Sequence, residues 1–225
     1  MTIPDPLLQT SPGASLRTAE VAAWLAAKMC HDLISPASAI LSGLDLLEDP
    51  SAQDMREDAM GLISSSARKL TDLLSFCRVA FGASASAEMF DVRELQRLTA
   101  GIFQHMRADL DWQVVVPSLS KPAARAVLNL GQLAGAALPM GGTVRIESQS
   151  HDGAQMILAQ ALGPRARLRA EVLAGLQGEP LAEGLHGTWV QGYYTHLFVR
   201  DAGGQVHAET GDDKVVFVAR LPPPA

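Results

Sequence analysis

Apolar residues recur every three or four positions from Leu16 to about Leu47, at Val21, Trp24, Leu25, the aliphatic stem of Lys28, Ile34, Leu41, Leu44 and Leu47. That spacing predicts one long amphipathic helix. Glu48-Asp49-Pro50-Ser51 interrupts it, because proline cannot continue a helix and Asp or Ser can cap the next. A second helix is predicted from about Ala52 to Phe81, with Met55, Ala59, Leu62, Ile63, Leu70, Leu73, Leu74 and Phe76 as its apolar side. Two long helices joined by so short a break form an antiparallel hairpin. A lone hairpin leaves apolar surface open. Pairing two hairpins into a four-helix bundle covers it, so a homodimer is expected.

Beyond the hairpin the pattern changes. Small residues from Gly82 to Glu88 suggest a linker, and the chain then alternates between helical and strand-like patterns. Helices are predicted at about 91–108, 121–138, 168–176 and 188–202, and strands near 112–116, 143–150, 155–161, 205–209 and 215–221. Gly141-Gly142 and Gly203-Gly204 mark helix-to-strand turns. The fold class expected is α+β, with a flexible leader at 1–15, a helical hairpin at 16–82, a linker at 83–89 and an α/β sandwich at 90–225.

Composition narrows the setting. A net charge of -6 argues against a nucleic-acid binder. Cys30 and Cys77 have no metal-ligand or CxxC spacing, which fits a reducing compartment. The first residues lack the basic and apolar regions of a signal peptide, and no apolar run is long enough to span a bilayer. A cytoplasmic protein without a membrane partner is expected.

Candidate chemistry sits in Cys30-His31-Asp32-Leu33-Ile34-Ser35-Pro36. Neutral imidazole is a nucleophile, and an adjacent carboxylate can accept from Nδ1–H and fix the tautomer that leaves Nε2 free. His31 is therefore the candidate nucleophile and Asp32 its orienting partner. Pro36 lacks the N–H for the Asp32 carbonyl, so a kink or loosening is expected one turn beyond His31. The small residues Ser35, Ser38, Ala39 and Ser42, with Pro36, form a candidate seat for a partner's helix. Residues around Leu62–Leu70 of the second helix are its other wall. Cys30 reads as a small core residue.

His31-Asp32-Leu33-x-x-Pro36 resembles the H-box of sensor histidine kinases, and the second half is similar to their ATP-binding domain. Phe90-Asp91-Val92-Arg93-Glu94-Leu95 resembles the start of that domain, and Asp201-Ala202-Gly203-Gly204-Gln205-Val206 its HGGxI-type turn. The nucleotide boxes depart from the pattern. The N-box reads Gln132-Leu133-Ala134-Gly135-Ala136-Ala137, with Ala136 in place of the magnesium-ligating asparagine. The adenine box reads Ala161-Leu162-Gly163-Pro164-Arg165 in place of DxGxG. The phosphate loop reads Gly187-Thr188-Trp189-Val190-Gln191-Gly192 in place of GxGLGL. Trp189 and Tyr193-Tyr194 read as core, or as filling of the former nucleotide cleft.

A kinase-like hairpin joined to a degenerate ATPase-type α/β sandwich resembles the ChpT-type histidine phosphotransferases of alphaproteobacterial phosphorelays. The run HDLISPASAILSGLDLLEDPSAQDM, with ARKLTDLL in the second helix, carries that likeness. The resemblance implies phosphoryl transfer through His31 without autokinase activity and with no cofactor bound by this chain. Magnesium comes with the partner's receiver domain. The implied partners are the receiver of a CckA-type hybrid kinase and response regulators of the CtrA and CpdR types. Arg165, Arg167 and Arg169 are either a docking strip for regulators or an ordinary solvated helix start. The alternatives are a docking scaffold or inhibitor that passes no phosphate, a divergent autokinase, and a receiver phosphatase.

Overall fold

The computed structural model describes residues 12–82, 88–151, 153–181 and 186–223. Helix α1 runs unbroken from Pro12 to Glu48, with Pro36 in its interior. The expected leader therefore ends sooner: residues 1–11 lie outside the described residues, and 12–15 already belong to α1. The hairpin turn is fixed by Asp49, whose carboxylate accepts from the Ser51 N–H at 2.8 Å and the Ser51 hydroxyl at 2.7 Å. Those bonds hold the Asp49 carboxyl below its ordinary pKa. A single 3-10 turn, Gln53–Met55, leads into α2, Arg56–Ala80.

The seam between α1 and α2 is narrower than the apolar pattern suggests. On α1 the buried and half-buried positions Leu33, Pro36, Ile40, Gly43 and Leu47 are spaced three and four apart. On α2 the matching stripe is Ala59, Ile63, Ser66, Leu70 and Leu73. The helices lie close together at Gly43, where a β-carbon would come within 2.6 Å of Ile63 Cγ1 and 3.1 Å of the Ala59 carbonyl oxygen. Ile34, Leu41 and Leu44 lie on the neighbouring stripe of α1 and are exposed, as are Met55 and Leu62 on α2.

Residues 83–87 of the expected linker lie outside the described residues. Met89, its last position, already begins strand β1, Met89–Asp91. Asp91 then caps α3, Val92–Phe103, accepting from the N–H groups of Arg93 at 2.7 Å and Glu94 at 3.4 Å. This helix ends before the expected residue 108, because the chain turns there into β2, Ala108–Gln113. β2 pairs in parallel with β4, Gly142–His151, from Ala108 opposite Gly142 to Gln113 opposite Glu147. The strand expected at 112–116 is thus displaced toward the N-terminus. Pairing stops before the valine run, and Val115 is 87% exposed. β3, Ser118–Ser120, pairs with β1 in a two-stranded sheet too short to leave a periodic signal.

The main sheet adds β5, Ala154–Leu162, β6, Gln205–Gly211, and β7, Lys214–Leu221, in the order β2-β4-β5-β7-β6. Only β2 and β4 are parallel. Alternate residues enter the core: Val144 and Ile146, then Ile157, Ala159 and Ala161, then Val215, Phe217 and Ala219. The helices α4, Lys121–Ala136, α5, Ala170–Leu176, and α6, His186–Asp201, complete the α/β layer.

Two apolar clusters join the hairpin to the α/β layer. Phe76, Val79 and Ala80 of α2 belong to the same buried cluster as the sheet's inner face. Val21, Trp24 and Leu25 of α1 pack instead with Trp189 and Val190 of α6. The first third of the α1 apolar stripe therefore serves α6.

Helices α5 and α6 approach backbone to backbone. A β-carbon on Gly175 would sit 2.5 Å from the Trp189 carbonyl oxygen, and one on Gly192 would sit 2.8 Å from that of Val172. Gly192→Ala is expected to destabilise the chain by about 1–3 kcal/mol, since neither backbone can yield alone. Urea unfolding of the variant beside the wild type measures this; an unchanged midpoint would contradict it.

Candidate functional site

His31 stands on α1, clear of the α2 seam, with its side chain 87% exposed. Its Nδ1 lies 3.2 Å from Asp32 Oδ1. A carboxylate can only accept, so in the neutral ring Nδ1 carries the proton and Nε2 the free lone pair. The other carboxylate oxygen, Asp32 Oδ2, accepts from Lys28 Nζ at 2.6 Å, one turn back along α1. The three side chains form a continuous line, Lys28–Asp32–His31. The pattern that singled out His31 and Asp32 did not find Lys28, which was read only for its aliphatic stem. Its signal was the i, i+4 spacing to Asp32.

Of the expected docking residues, Ser35, Ser38 and Ser42 are exposed and continue along the helix from His31 at intervals of three and four. Pro36 is not part of that surface: it is buried, on the stripe that faces α2, and Ala39 is half-buried. On α2, Leu62, Ser65 and Arg68 are exposed, whereas Ile63, Ser66 and Leu70 belong to the seam. Cys30 is exposed, contrary to its reading as a core residue, because position 30 lies off the α2 stripe. Cys77 is the inward cysteine, and burial pushes its thiol up to about 11.

A cleft of about 390 Å³ opens beside His31. Trp24, Lys28, His31 and Asp32 line it from α1, and His186 and Thr188 from the first turn of α6. The His186 ring lies 4.7 Å from that of Trp24. A smaller cavity of about 170 Å³ shares Lys28 and Thr188 and reaches Ala136, Arg167, Arg169 and Gln191. Residues from the N-box and phosphate loop therefore meet in one place.

Gln191, on the cavity wall, heads a network of polar side chains. The Gln191 amide donates to Gln132 Oε1 at 2.6 Å and to Asn129 Oδ1 at 3.4 Å. Asn129 in turn donates to the carbonyls of Ala80 and Arg125, tying α4 to the end of α2. Trp189 is buried, but at the α1–α6 seam: its ring meets Trp24 edge-on at 5.2 Å and stacks on Tyr193 at 4.5 Å. Its indole N–H donates to the Glu179 carbonyl at 2.9 Å. Tyr194 packs against Phe81 and Phe198, and burial raises its phenol above the ordinary value. Gly192 serves the helix contact described above. Arg167 and Arg169 are exposed at the cavity, while the Arg165 N–H donates to Asp213 Oδ1 at 2.9 Å. Among the described residues, no three His, Cys, Asp or Glu side chains are grouped to hold a metal ion, and no helix is long and apolar enough to cross a membrane.

Comparison with known proteins assigns the class. Residues 92–214 match the histidine phosphotransferase C-terminal domain, and the chain belongs to that family. Within it, the chain is similar to protein phosphotransferase ChpT of Brucella abortus (strain 2308), with 32% identity over 206 residues, covering 91% of this chain and 97% of that one. A solved bacterial phosphotransferase aligns with a TM-score of 0.79 at 30% identity, covering 89% of this chain and 96% of that one. The catalytic domain of histidine kinase ThkA aligns at 21% identity and a TM-score of 0.47, covering 60% of this chain and 93% of that one. The expected α+β class holds: N-terminal helices precede a domain built on a mixed sheet.

Proposed function

We propose that this chain shuttles a phosphoryl group through His31, from the receiver domain of a hybrid histidine kinase to downstream response regulators. The observation that carries the reading is the exposed His31 ring with its Nδ1 on the Asp32 carboxylate. Nε2 attacks the phosphorus of the receiver's aspartyl phosphate. The N–P bond forms as the acyl-phosphate P–O bond breaks, and the donor's carboxylate is released. Phosphorylation at Nε2 with Nδ1 still protonated gives a cationic ring, which Asp32 stabilises. Transfer to the next receiver's aspartate reverses the step and returns neutral imidazole. Such transfer is mostly positioning and charge stabilisation. Magnesium arrives with the receiver's acidic pocket.

The receiver's helix rests on the strip of Ser35, Ser38 and Ser42, where small side chains permit close approach. The partners are those of a ChpT-type relay: a CckA-type receiver as donor and regulators of the CtrA and CpdR types as acceptors. Arg167 and Arg169 are a second contact for a regulator. ATP is not a substrate, since Ala136 offers no ligand to magnesium and the Gln191 amide, where the boxes meet, is committed to Gln132 and Asn129. The protein acts in the cytoplasm.

The test is to mix the full chain with a labelled, phosphorylated receiver and magnesium, without ATP. Acid-labile, base-stable label on the chain is the expected result. Binding of the receiver without label transfer would favour a docking scaffold instead.

A further inference from the structure

We infer that Lys28 is a positioning residue for phosphotransfer: it anchors Asp32 so that Asp32 holds His31 in the tautomer that attacks. This rests on the reading of His31 as the phosphorylated residue.

The geometry divides the Asp32 carboxylate between two donors, with Oδ2 on Lys28 Nζ at 2.6 Å and Oδ1 on His31 Nδ1 at 3.2 Å. An Asp side chain has two torsions, and a single bond to a ring exposed to water would leave it free to turn away. The second bond removes that freedom. The Lys28 side chain is only 16% exposed, against 34% for Asp32 and 87% for His31, so the line runs from a sheltered anchor to a solvent-facing nucleophile. Gly187 and Thr188 at the start of α6 share the Lys28 surroundings, and Cys77 of α2 is close enough to feel both charges. Cys77 is kept protonated by burial, so it does not compete with Asp32 for the ammonium.

The pair is poorly suited to stabilising the helix. With the lysine N-terminal to the acid at i, i+4, it has the weaker of the two orientations, so helix stability does not account for a sheltered lysine here. Orientation of Asp32 does. Free imidazole favours the proton on Nε2, the nitrogen that must attack. Holding the proton on Nδ1 therefore requires a fixed acceptor.

The experiment compares the full-length wild type with Lys28→Met, Lys28→Gln, Lys28→Arg and His31→Ala. The ring-nitrogen shifts of ¹⁵N-histidine-labelled protein report the His31 tautomer, with His31→Ala assigning the signal. Initial rates of label uptake from a phosphorylated receiver report transfer. Expected is a shift of His31 toward the Nε2–H tautomer in the Met and Gln variants, a rate loss of about tenfold, and recovery to within about twofold in Lys28→Arg. An unchanged tautomer in both neutral variants would overturn the inference, as would a changed tautomer with an unchanged rate. Should Lys28→Met fail to fold, Lys28→Gln decides. Undiminished uptake by His31→Ala would sink the reading of His31 itself, a result independent of the tautomer measurement.

Discussion

Replacing His31 with alanine is expected to reduce phosphoryl uptake from a phosphorylated receiver by at least about 10³-fold, the scale of removing a nucleophile. The expectation follows from what stands near the ring. The cleft beside His31 holds Trp24, Lys28, Asp32 and His186. Lys28 and Asp32 are committed to each other, and the His186 ring, also exposed, lies against Trp24 and is not backed by a carboxylate as His31 is. The substitution itself is benign to the fold, since the lost side chain touches little and alanine is the best helix former. Asp32→Ala should be milder, about 10- to 100-fold, because the ring survives but loses its proton acceptor and the stabiliser of its phosphorylated, cationic form. Label uptake, measured beside receiver binding, separates the two. A His31→Ala chain that binds the receiver and still takes up acid-labile label would refute the assignment.

The expectation could be reached early because adjacency in sequence suffices for this pair. His31 and Asp32 are neighbours, and a helix holding both in one turn needs no tertiary contact to let them meet. Lys28 is one turn away and equally local. The sequence hides its role because an i, i+4 ion pair is common on helices, and its distinguishing feature is its burial, which only the folded chain has. The long-range partners were illegible for the same reason. Trp24 reads as an apolar helix position and Trp189 as core or as filling of the former nucleotide cleft, and nothing in their spacing says that they face each other. Gly192 reads as a residue of a phosphate-binding loop, yet its lack of a side chain is used by α5.

The hairpin was legible in outline and ambiguous in rotation. The run Ile40 to Leu47 carries two apolar stripes about a third of a turn apart, and sequence periodicity cannot say which one meets α2. The structure assigns Leu33, Ile40, Gly43 and Leu47 to the seam and leaves Ile34, Leu41 and Leu44 outside it. The same ambiguity put Pro36 on the docking surface. It lies on the seam stripe, five positions from His31, which is nearly half a turn away around the helix. A proline that costs about 3 kcal/mol in a helix interior is thus spent against α2 rather than offered to a partner.

Leu41→Asp is the second substitution with a large expected effect: we propose that two hairpins pair into a four-helix bundle, and this change should leave the chain a monomer. Leu41 is 62% exposed on a stripe of α1 with Ile34 and Leu44, and Met55 and Leu62 are exposed on α2. With only 38–64% of each side chain exposed, covering it stabilises by roughly half of the about 1.5–3 kcal/mol of a full burial, and five from each of two chains together offset the cost of association when a second hairpin covers them. In a two-fold interface the substitution appears twice. At about 2 kcal/mol per copy, for lost apolar burial and a desolvated carboxylate, the dissociation constant rises about 10³-fold. Sedimentation at micromolar concentration should show a dimer for the wild type and a monomer for Leu41→Asp. Circular dichroism should be nearly unchanged, because the residue is not part of the α1–α2 seam. A wild-type chain that sediments as a monomer would leave this apolar face to another partner. The Ser35–Ser42 strip adjoins the same stripe, so a variant that is monomeric but still takes up label would separate the receiver's seat from the dimer contact.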